Sequence, residues 1–250
     1  MSIKLAICGS SGKMGQAIIN LIKSNPQKYD FEITYQFSRK SNTDLGKCCQ
    51  LSEIVIDFST PEVIKSLLKQ ATVYNTKLVI CTTGFTEEHF KLMAEATKKI
   101  AILYAANTSI GANLLANMAA KVATILQHKD FDTEIIEAHH RYKKDAPSGT
   151  ALMIAKEIAN ATDLDLNNSL KYDRCNNDNV RKNNEIGMSA IRAGGIYGEH
   201  NVIFASNNEV IKLQHQALNR DCFADGALIA AKWLYTQKPG LYNMQDIFND

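Results

Sequence analysis

Residues 3–15 decide the fold, and they read Ile-Lys-Leu-Ala-Ile-Cys-Gly-Ser-Ser-Gly-Lys-Met-Gly. The apolar run Ile3–Cys8 predicts a buried strand, and Gln16–Lys23 shows the periodicity of a helix. The glycines between them let the backbone turn sharply and approach a phosphate, while the start of the helix offers free N–H groups. The spacing is looser than Gly-x-Gly-x-x-Gly, and ordinary turns also use glycine. Its place in the first strand–helix unit nevertheless favours dinucleotide binding.

Short apolar runs alternate with helical segments through the first hundred residues. Further strands are predicted at Phe31–Phe37, Ile54–Phe58, Lys77–Cys81 and Ile100–Tyr104, and helices at Pro61–Thr72 and Glu87–Lys98. Strands separated by helices of about a dozen residues predict a parallel sheet with helices on both faces. We therefore expect an α/β fold whose first domain, residues 1–108 and 218–250, is a dinucleotide-binding domain of the Rossmann type. The helical tail Cys222–Tyr235 belongs to it.

The pattern changes after Asn107, and residues 109–217 are expected to form a second, α+β domain with a mixed sheet. The predicted elements are a helix from about Ser109, a strand Thr133–Ala138, a helix Gly149–Ala161, and strands Met188–Arg192, Val202–Ala205 and Val210–His215. Residues 163–185 are polar and poorly periodic, which predicts a long loop. The last two strands are expected to pair across Asn207-Asn208, because Asn tolerates the positive φ of a tight turn.

Composition excludes several functional classes. The 250 residues are 45% hydrophobic and 22% charged, with a net charge of +2, so neither a nucleic acid nor a membrane partner is expected. The uncharged stretch 100–120 is long enough to cross a bilayer, but Asn107, Asn113 and Asn117 would be costly in lipid. The six cysteines show no paired spacing for structural zinc. The start of the chain does not resemble a signal peptide, and we expect reduced thiols and a cytoplasmic protein.

The predicted tip of the second strand bears on the choice of cofactor. It reads Phe37-Ser38-Arg39-Lys40, without the acid that usually holds the adenine ribose of NAD. A serine and two bases suit a 2′-phosphate better, although a solvated charged turn remains an alternative. The loops at Cys81–Phe85 and Ala105–Ser109 also follow strands of this sheet. Their small residues would let a nicotinamide ribose approach, or they are plain turns.

The segment with the strongest chemical pattern is 137–151, Glu-Ala-His-His-Arg-Tyr-Lys-Lys-Asp-Ala-Pro-Ser-Gly-Thr-Ala. It leads from the end of a predicted strand into the start of a helix. The N–H groups of Gly149 and Thr150 are suited to hold a carboxylate, and Lys143 supplies the opposite charge.

Three interpretations of this segment compete. Adjacent His139 and His140 point to opposite faces of a strand, which disfavours a metal site. A hydrolase triad of His139, Asp145 and Ser148 lacks a nucleophile elbow. Acid catalysis on an anionic substrate fits best, because histidine is matched to proton transfer near neutrality.

Several motifs together resemble the dihydrodipicolinate reductase family. They are Gly-x-x-Gly-x-Met-Gly at the N-terminus, Asp57-Phe58-Ser59-Thr60-Pro61, Thr82-Thr83-Gly84-Phe85, Glu137-Ala138-His139-His140 with Lys143 to Ala151, and Arg192-Ala193-Gly194 with Gly198-Glu199-His200. The resemblance spans nearly the whole chain in order. It implies hydride transfer from NADPH or NADH to a small dicarboxylate heterocycle of lysine and diaminopimelate biosynthesis. It also implies a homotetramer built by the second domain.

The resemblance also assigns residues. The acid and the catalytic lysine of the family fall on His139 and Lys143, and its substrate contacts fall on His140, Gly149 and Thr150. Its cofactor loops fall on Gly9, Ser10, Ser11, Gly12, Lys13 and Met14, on Cys81, Thr82 and Thr83, and on Ala105, Ala106, Asn107 and Thr108.

This sequence departs from the family pattern in three places. Ser38 stands where an acid is frequent, Cys81 stands where glycine is frequent, and the stretch 41–51 is short. The first departure, with Arg39 beside it, predicts use of both cofactors with a preference for NADPH. Two other functions remain open: another small-acid dehydrogenase, and a dinucleotide-sensing protein without catalysis.

Overall fold

The computed structural model describes residues 2–39, 44–175 and 180–248. Lys40, which enters the cofactor hypothesis, lies outside these ranges. The chain divides into two compact units, Met1–Ile110 with Arg220–Asp250 and Gly111–Asn219. In the described residues, no helix is both long enough and apolar enough to span a membrane.

The first unit alternates strands and helices as expected. Its elements are β1 (Ile3–Cys8), α1 (Lys13–Ser24), α2 (Pro26–Tyr29), β2 (Phe31–Phe37), α3 (Leu45–Gln50), β3 (Ile54–Asp57), α4 (Pro61–Tyr74), β4 (Lys77–Ile80), α5 (Glu87–Ala96), β5 (Ala101–Tyr104), and, after the second unit, α9 (Asp221–Leu234) and β11 (Gly240–Tyr242). Within the described ranges the sheet has the order β11-β5-β4-β3-β1-β2. All of its pairings are parallel, which confirms the predicted Rossmann-type sheet.

Helices cover this sheet on both faces. On one face Ile18 of α1 and Leu228 of α9 pack with Leu5 and Ile7 of β1. On the other face the helices α3, α4 and α5 pack over β3, β4 and β5. The strands are therefore buried on both sides, which explains why β1 and β3 read as nearly continuous apolar runs.

The carboxyl ends of three neighbouring strands lie side by side at one end of the parallel sheet. Cys8 pairs with Asp57, and Asp57 pairs with Ile80 in the next strand. Because ligands of open α/β sheets bind beyond the carboxyl ends of the strands, the loops that follow these residues occupy the position of a binding site.

The second unit is built on a mixed sheet. Its elements are α6 (Ile110–Leu126), β6 (Asp132–His139), α7 (Gly149–Ala161), α8 (Leu166–Ser169), β7 (Leu170–Lys171), β8 (Ile186–Arg192), β9 (Gly198–Ala205) and β10 (Val210–Ala217). Across the described residues the strand order is β10-β9-β6-β8-β7. Strand β6 runs parallel to β8 and antiparallel to β9, which confirms the predicted mixed sheet. Ile135 of β6 and Ile154 of α7 are fully buried between sheet and helices.

Two local predictions for this unit are wrong. Residues 163–185 are not one loop, because α8 and β7 lie within them and the side chain of Asp165 caps α8 by accepting the amide of Asn167. The predicted hairpin of β9 and β10 is confirmed, but Asn207 and Asn208 do not adopt positive φ. Instead the hydroxyl of Ser206 accepts the amides of Asn208 and Glu209, each at 3.3 Å, and thereby closes the turn.

Candidate active site

The glycine-rich loop after β1 can take a ligand close to its backbone. Gly9 has φ +84°, and a Cβ at this position would lie 2.4 Å from the carbonyl oxygen of Phe58. Gly12, which has no side chain, occupies the N-cap position of α1. Glycine at position 9 therefore lets this loop pack against the backbone that follows β3, and the start of α1 behind it is the type of helix N-terminus that can bind a pyrophosphate.

A cavity of about 220 Å³ lies beside this loop and is lined by Gly9, Ser11, Gly12, Phe37, Ser38, Arg39, Phe58, Ser59 and Thr60. Ser38 is buried, and its hydroxyl oxygen lies 2.7 Å from that of Ser11. Arg39 is exposed and lies 3.6 Å from a carboxylate oxygen of Glu62. The cavity therefore has a serine at its wall and a cation at its rim, and these residues fit a dinucleotide.

Asp57 holds the neighbouring loops together. Its buried carboxylate accepts the amide of Ser59 at 3.1 Å and the hydroxyl of Thr82 at 2.8 Å. Burial raises the pKa of Asp57, and these hydrogen bonds oppose that rise. The hydroxyl of Thr82 is thus committed to the protein, so a ligand contact from this loop would come mainly from the backbone.

The loop after β5 is fixed against α9. The hydroxyl of Thr108 donates to the carbonyl oxygen of Phe223 at 2.6 Å, and the amide of Ser109 donates to the side chain of Asn107 at 2.8 Å. Gly226 permits this contact, because a Cβ there would lie 1.8 Å from the carbonyl oxygen of Thr108. All four cofactor segments that the sequence singles out belong to this one unit.

In the second unit His139 lies at the end of β6 and contacts a fully buried carboxylate. Its Nδ1 atom is 2.6 Å from Oε2 of Glu137. Arg192 at the end of β8 binds both oxygens of Glu137, at 2.8 and 2.7 Å. Burial lowers the pKa of His139, and the hydrogen bond to Glu137 opposes this effect. Burial alone would raise the pKa of Glu137, but the hydrogen bonds from Arg192 and His139 outweigh it and lower that pKa.

The N-terminus of α7 lies beside the same carboxylate. The amide of Ser148 donates to Oε1 of Glu137 at 3.0 Å, and its hydroxyl caps the helix by accepting the amide of Ala151 at 3.2 Å. Gly149 is the first residue of the helix, and a Cβ there would meet no heavy atom within 4 Å. This open helix start is suited to an anion.

Two further side chains lie in the loop that joins β6 to α7. Lys143 is mostly buried, and its ammonium group lies 2.9 Å from the exposed carboxylate of Asp145. The Nδ1 atom of His140 is buried and has no hydrogen-bond partner within the described part of the chain. The loop that leads into α7 therefore carries a cation and a buried imidazole nitrogen without a partner in the described residues.

The structure excludes the hydrolase triad as an assembled unit. The hydroxyl of Ser148 lies 3.1 Å from Nε2 of His200, whereas His139 binds Glu137 and Asp145 pairs with Lys143. Burial lowers the pKa of His200 to about 3, so this imidazole is neutral. Among residues 2–39, 44–175 and 180–248, no three His, Cys, Asp or Glu side chains form a cluster that could hold a metal ion.

Glu137, Arg192 and His200 also belong to this site, although their roles were not predicted from the sequence. Glu137 and His139 are two residues apart on a strand, which places both side chains on the same face, and this spacing was an available signal. The other two partners follow from the register, since His139 pairs with Arg192 and Glu137 pairs with His200. That register cannot be obtained from local sequence.

A parallel sheet with a glycine-rich dinucleotide loop, joined to a unit that carries a histidine and a lysine beside an open helix start, defines an NAD(P)H-dependent oxidoreductase. The family models agree: dihydrodipicolinate reductase, N-terminus, matches residues 3–108, and dihydrodipicolinate reductase, C-terminus, matches residues 111–248. The chain belongs to the dihydrodipicolinate reductase family.

Relatives cover the chain over its full length. A 4-hydroxy-tetrahydrodipicolinate reductase of Rickettsia bellii is 45% identical, over 100% of this chain and 96% of its own. One from Caldanaerobacter subterraneus is 44% identical, over 99% and 98%. The fold resembles that of a dipicolinate-bound dihydrodipicolinate reductase from Paenisporosarcina sp. TG-14, with a TM-score of 0.78 at 24% identity, over 97% of this chain and 98% of that one.

Proposed function

We propose that the protein is a 4-hydroxy-tetrahydrodipicolinate reductase, which forms tetrahydrodipicolinate for lysine and diaminopimelate biosynthesis at the expense of NAD(P)H. The observation that best supports this proposal is the arrangement of the acidic and basic side chains around the start of α7 in the second unit. There the buried Glu137–His139 pair lies against the first turn of α7, with Lys143 in the loop between them.

The substrate is a dicarboxylate, and the site offers matching groups. A carboxylate would accept hydrogen bonds from the N–H groups of Gly149 and Thr150, where the helix dipole also favours an anion. Lys143 supplies a positive charge, and an incoming carboxylate would compete with exposed Asp145 for it. His140 adds a buried nitrogen that has no hydrogen-bond partner among the residues described. We therefore assign substrate binding to His140, Gly149 and Thr150, and both binding and charge balance to Lys143.

Proton delivery is assigned to His139. The reduced nicotinamide, when bound, supplies hydride to the substrate ring. The neighbouring carbon must then take a proton, and loss of water belongs to the same overall conversion. Burial lowers the pKa of His139. A bound dianionic substrate would add negative charge near the ring and so favour the protonated form that a general acid needs.

We assign cofactor binding to the loops at Gly9–Met14, Cys81–Thr83 and Ala105–Thr108, together with Ser38 and Arg39. With Ser38 at the wall of the cavity and Arg39 at its rim, the carboxylate that would repel a 2′-phosphate is missing from this position. The exposed Arg39 adds attraction that solvent weakens. We expect both cofactors to be used, with NADPH preferred.

We further propose a homotetramer assembled through the sheet of the second unit, because β10 ends the strand order of that sheet and an edge strand is a surface with which another chain can pair. A cytoplasmic location agrees with the six cysteines, all of which are free thiols.

A spectrophotometric assay of cofactor oxidation, with substrate made freshly by the preceding synthase, tests the function. The proposal predicts oxidation that depends on both synthase and reductase. A small-acid dehydrogenase would oxidise the cofactor with other acids and not with this product. A dinucleotide sensor would bind NADPH without turnover.

A further inference from the structure

We propose that Glu137 is the positioning residue of this site: one buried carboxylate fixes both the ring of His139 and the anion-binding start of α7. This inference rests on the proposed function, because it concerns how the acid and the substrate carboxylate are held relative to each other. Neither family resemblance nor motif spacing assigns Glu137 this role.

Each oxygen of the Glu137 carboxylate accepts two hydrogen bonds. Oε2 lies 2.6 Å from Nδ1 of His139 and 2.8 Å from Nη1 of Arg192. Oε1 lies 3.0 Å from the amide nitrogen of Ser148 and 2.7 Å from Nη2 of Arg192. Since a carboxylate has about four acceptor sites, this group is saturated. It cannot rotate towards one partner without releasing another, so His139 and the amide before Gly149 are held in one fixed arrangement.

The contact also determines the tautomer of His139. An ionised carboxylate only accepts hydrogen bonds, so Nδ1 of His139 must carry hydrogen. The Nε2 edge is then the one that exchanges a proton with a substrate. Gly198 lies beside this edge, where an added Cβ would be 3.1 Å from Nε2. A glycine at this position leaves the reactive nitrogen uncrowded.

Charges from three directions act on the His139 ring. Glu137 on its own strand favours the imidazolium, while Lys143 in the following loop and Arg192 on β8 oppose it. The ring of His200 on β9 lies 5.3 Å away and is neutral. Without the negative charge of Glu137, the two cations and burial would act unopposed. Positioning and charge balance therefore come from the same carboxylate.

Nuclear magnetic resonance of histidine-labelled protein tests the inference without substrate. Two-bond ¹H–¹⁵N spectra distinguish the neutral tautomers and follow titration. We expect the Nδ1–H tautomer at His139 in the parent protein, and in Glu137→Gln a titration midpoint lower by about one pH unit or more. The matched control is Glu134→Gln, which removes another arginine-paired carboxylate from β6, roughly 15 Å from His139 along the strand. This control should leave the midpoint unchanged.

Kinetics supply the second readout. Glu137→Gln should lower kcat by about 10- to 100-fold and leave the KM for NADPH within about twofold, and the alkaline limb of kcat/KM should move to lower pH. A merely structural role would not move that limb. The parent spectrum requires no variant, so an Nε2–H tautomer in the parent overturns the inference even if Glu137→Gln fails to fold. An unchanged midpoint in a folded variant also overturns it. Absence of substrate-dependent NADPH oxidation by the parent would instead contradict the proposed function.

Discussion

The hydroxyl oxygens of Ser11 and Ser38 lie 2.7 Å apart, and this hydrogen bond joins the glycine-rich loop to the end of β2. In a Rossmann-type domain that prefers NAD, an acid near the end of the second strand binds the ribose hydroxyls and would repel a 2′-phosphate. Ser38 cannot repel a phosphate, and its hydroxyl already has a protein partner. Discrimination between the two cofactors therefore depends mainly on the charged groups at the rim of the cavity.

Replacing Arg39 with Ala is expected to lower kcat/KM for NADPH about fivefold and to change the value for NADH little. Because Arg39 is exposed, its contact with a phosphate should contribute about 1 kcal/mol of binding free energy, less than a buried ion pair would. Steady-state kinetics with both cofactors measures this effect. Equal losses with both cofactors, or a strong preference of the parent for NADH, would contradict the assignment.

Glu62 provides a control of opposite sign. Its carboxylate lies 3.6 Å from Arg39 and competes with a phosphate for that side chain. Glu62→Gln should therefore raise kcat/KM for NADPH modestly, by about twofold, and leave the value for NADH unchanged. A decrease with NADPH would show that Glu62 does not act through Arg39.

Replacing Arg192 with Met should destabilise the second unit by roughly 3–5 kcal/mol at neutral pH, because the carboxylate of Glu137 would remain buried without its counter-ion. The hydrogen bonds from Arg192 hold the pKa of Glu137 below its ordinary 4.5. The pair therefore stabilises the parent above that pH, and this contribution is lost as the pH falls through the lowered pKa.

The difference in unfolding free energy between the parent and Arg192→Met should consequently shrink on acidification. Protonation of Glu137 weakens the ion pair of the parent, and it also removes the unpaired charge from the variant. Urea denaturation at pH 7 and at pH 4–5 measures it. Arg174→Met, which breaks partly exposed ion pairs with Glu134 and Glu185, should cost only about 1 kcal/mol. A cost for Arg192→Met no larger than this control would contradict the role of the buried pair.

The cysteines should differ sharply in reactivity. Burial raises the pKa of Cys49 to about 12 and raises the pKa values of Cys8, Cys48 and Cys81 as well. A hydrogen bond with Asp173 raises the pKa of Cys175 as well, but this thiol is exposed. Because access to the thiol limits the reaction of buried cysteines with disulfide reagents, we expect one fast thiol in the native protein, lost in Cys175→Ser. Fast reaction of three or more thiols per chain would instead show that the first unit opens readily and exposes its buried cysteines.

Assembly is tested by size-exclusion chromatography with light scattering. The proposal predicts a mass near four times the chain mass of 27.7 kDa at micromolar concentration. A stable monomer at that concentration would rule out the tetramer and would leave the edge strand β10 without the cover proposed for it.

The parts of the fold that could be predicted from sequence are those with a strong period. The apolar run Ile3–Cys8 and the alternation that follows it suffice for a parallel sheet. Strands β7, with two residues, and β11, with three, are too short to show a period and were not predicted. The conformation of the turn between β9 and β10 was predicted wrongly for another reason. A hydrogen bond to the hydroxyl of Ser206 closes this turn, so the positive φ expected at the two Asn residues is not needed.

The residues of the candidate site also fall into two groups, those that could be predicted from local sequence and those that could not. His139 and Lys143 could be named from sequence, because a histidine–lysine cluster before a helix start is unusual and chemically specific. Arg192 and His200 reach this site only through strand pairing, with sequence separations of 55 and 52 residues from Glu137 and Ser148, respectively. Contacts of this range depend on register, which is a property of the folded sheet.

If His139 protonates the substrate, His139→Gln should lose turnover and keep its affinity for the cofactor. We expect kcat to fall by roughly a hundredfold or more, the range for a lost general acid. The dissociation constant for NADPH, measured by fluorescence, should stay near that of the parent. The control His89→Gln, at a half-buried position in α5 of the first unit, should leave both values unchanged. Near-normal turnover in His139→Gln would remove this residue from the mechanism and contradict the account.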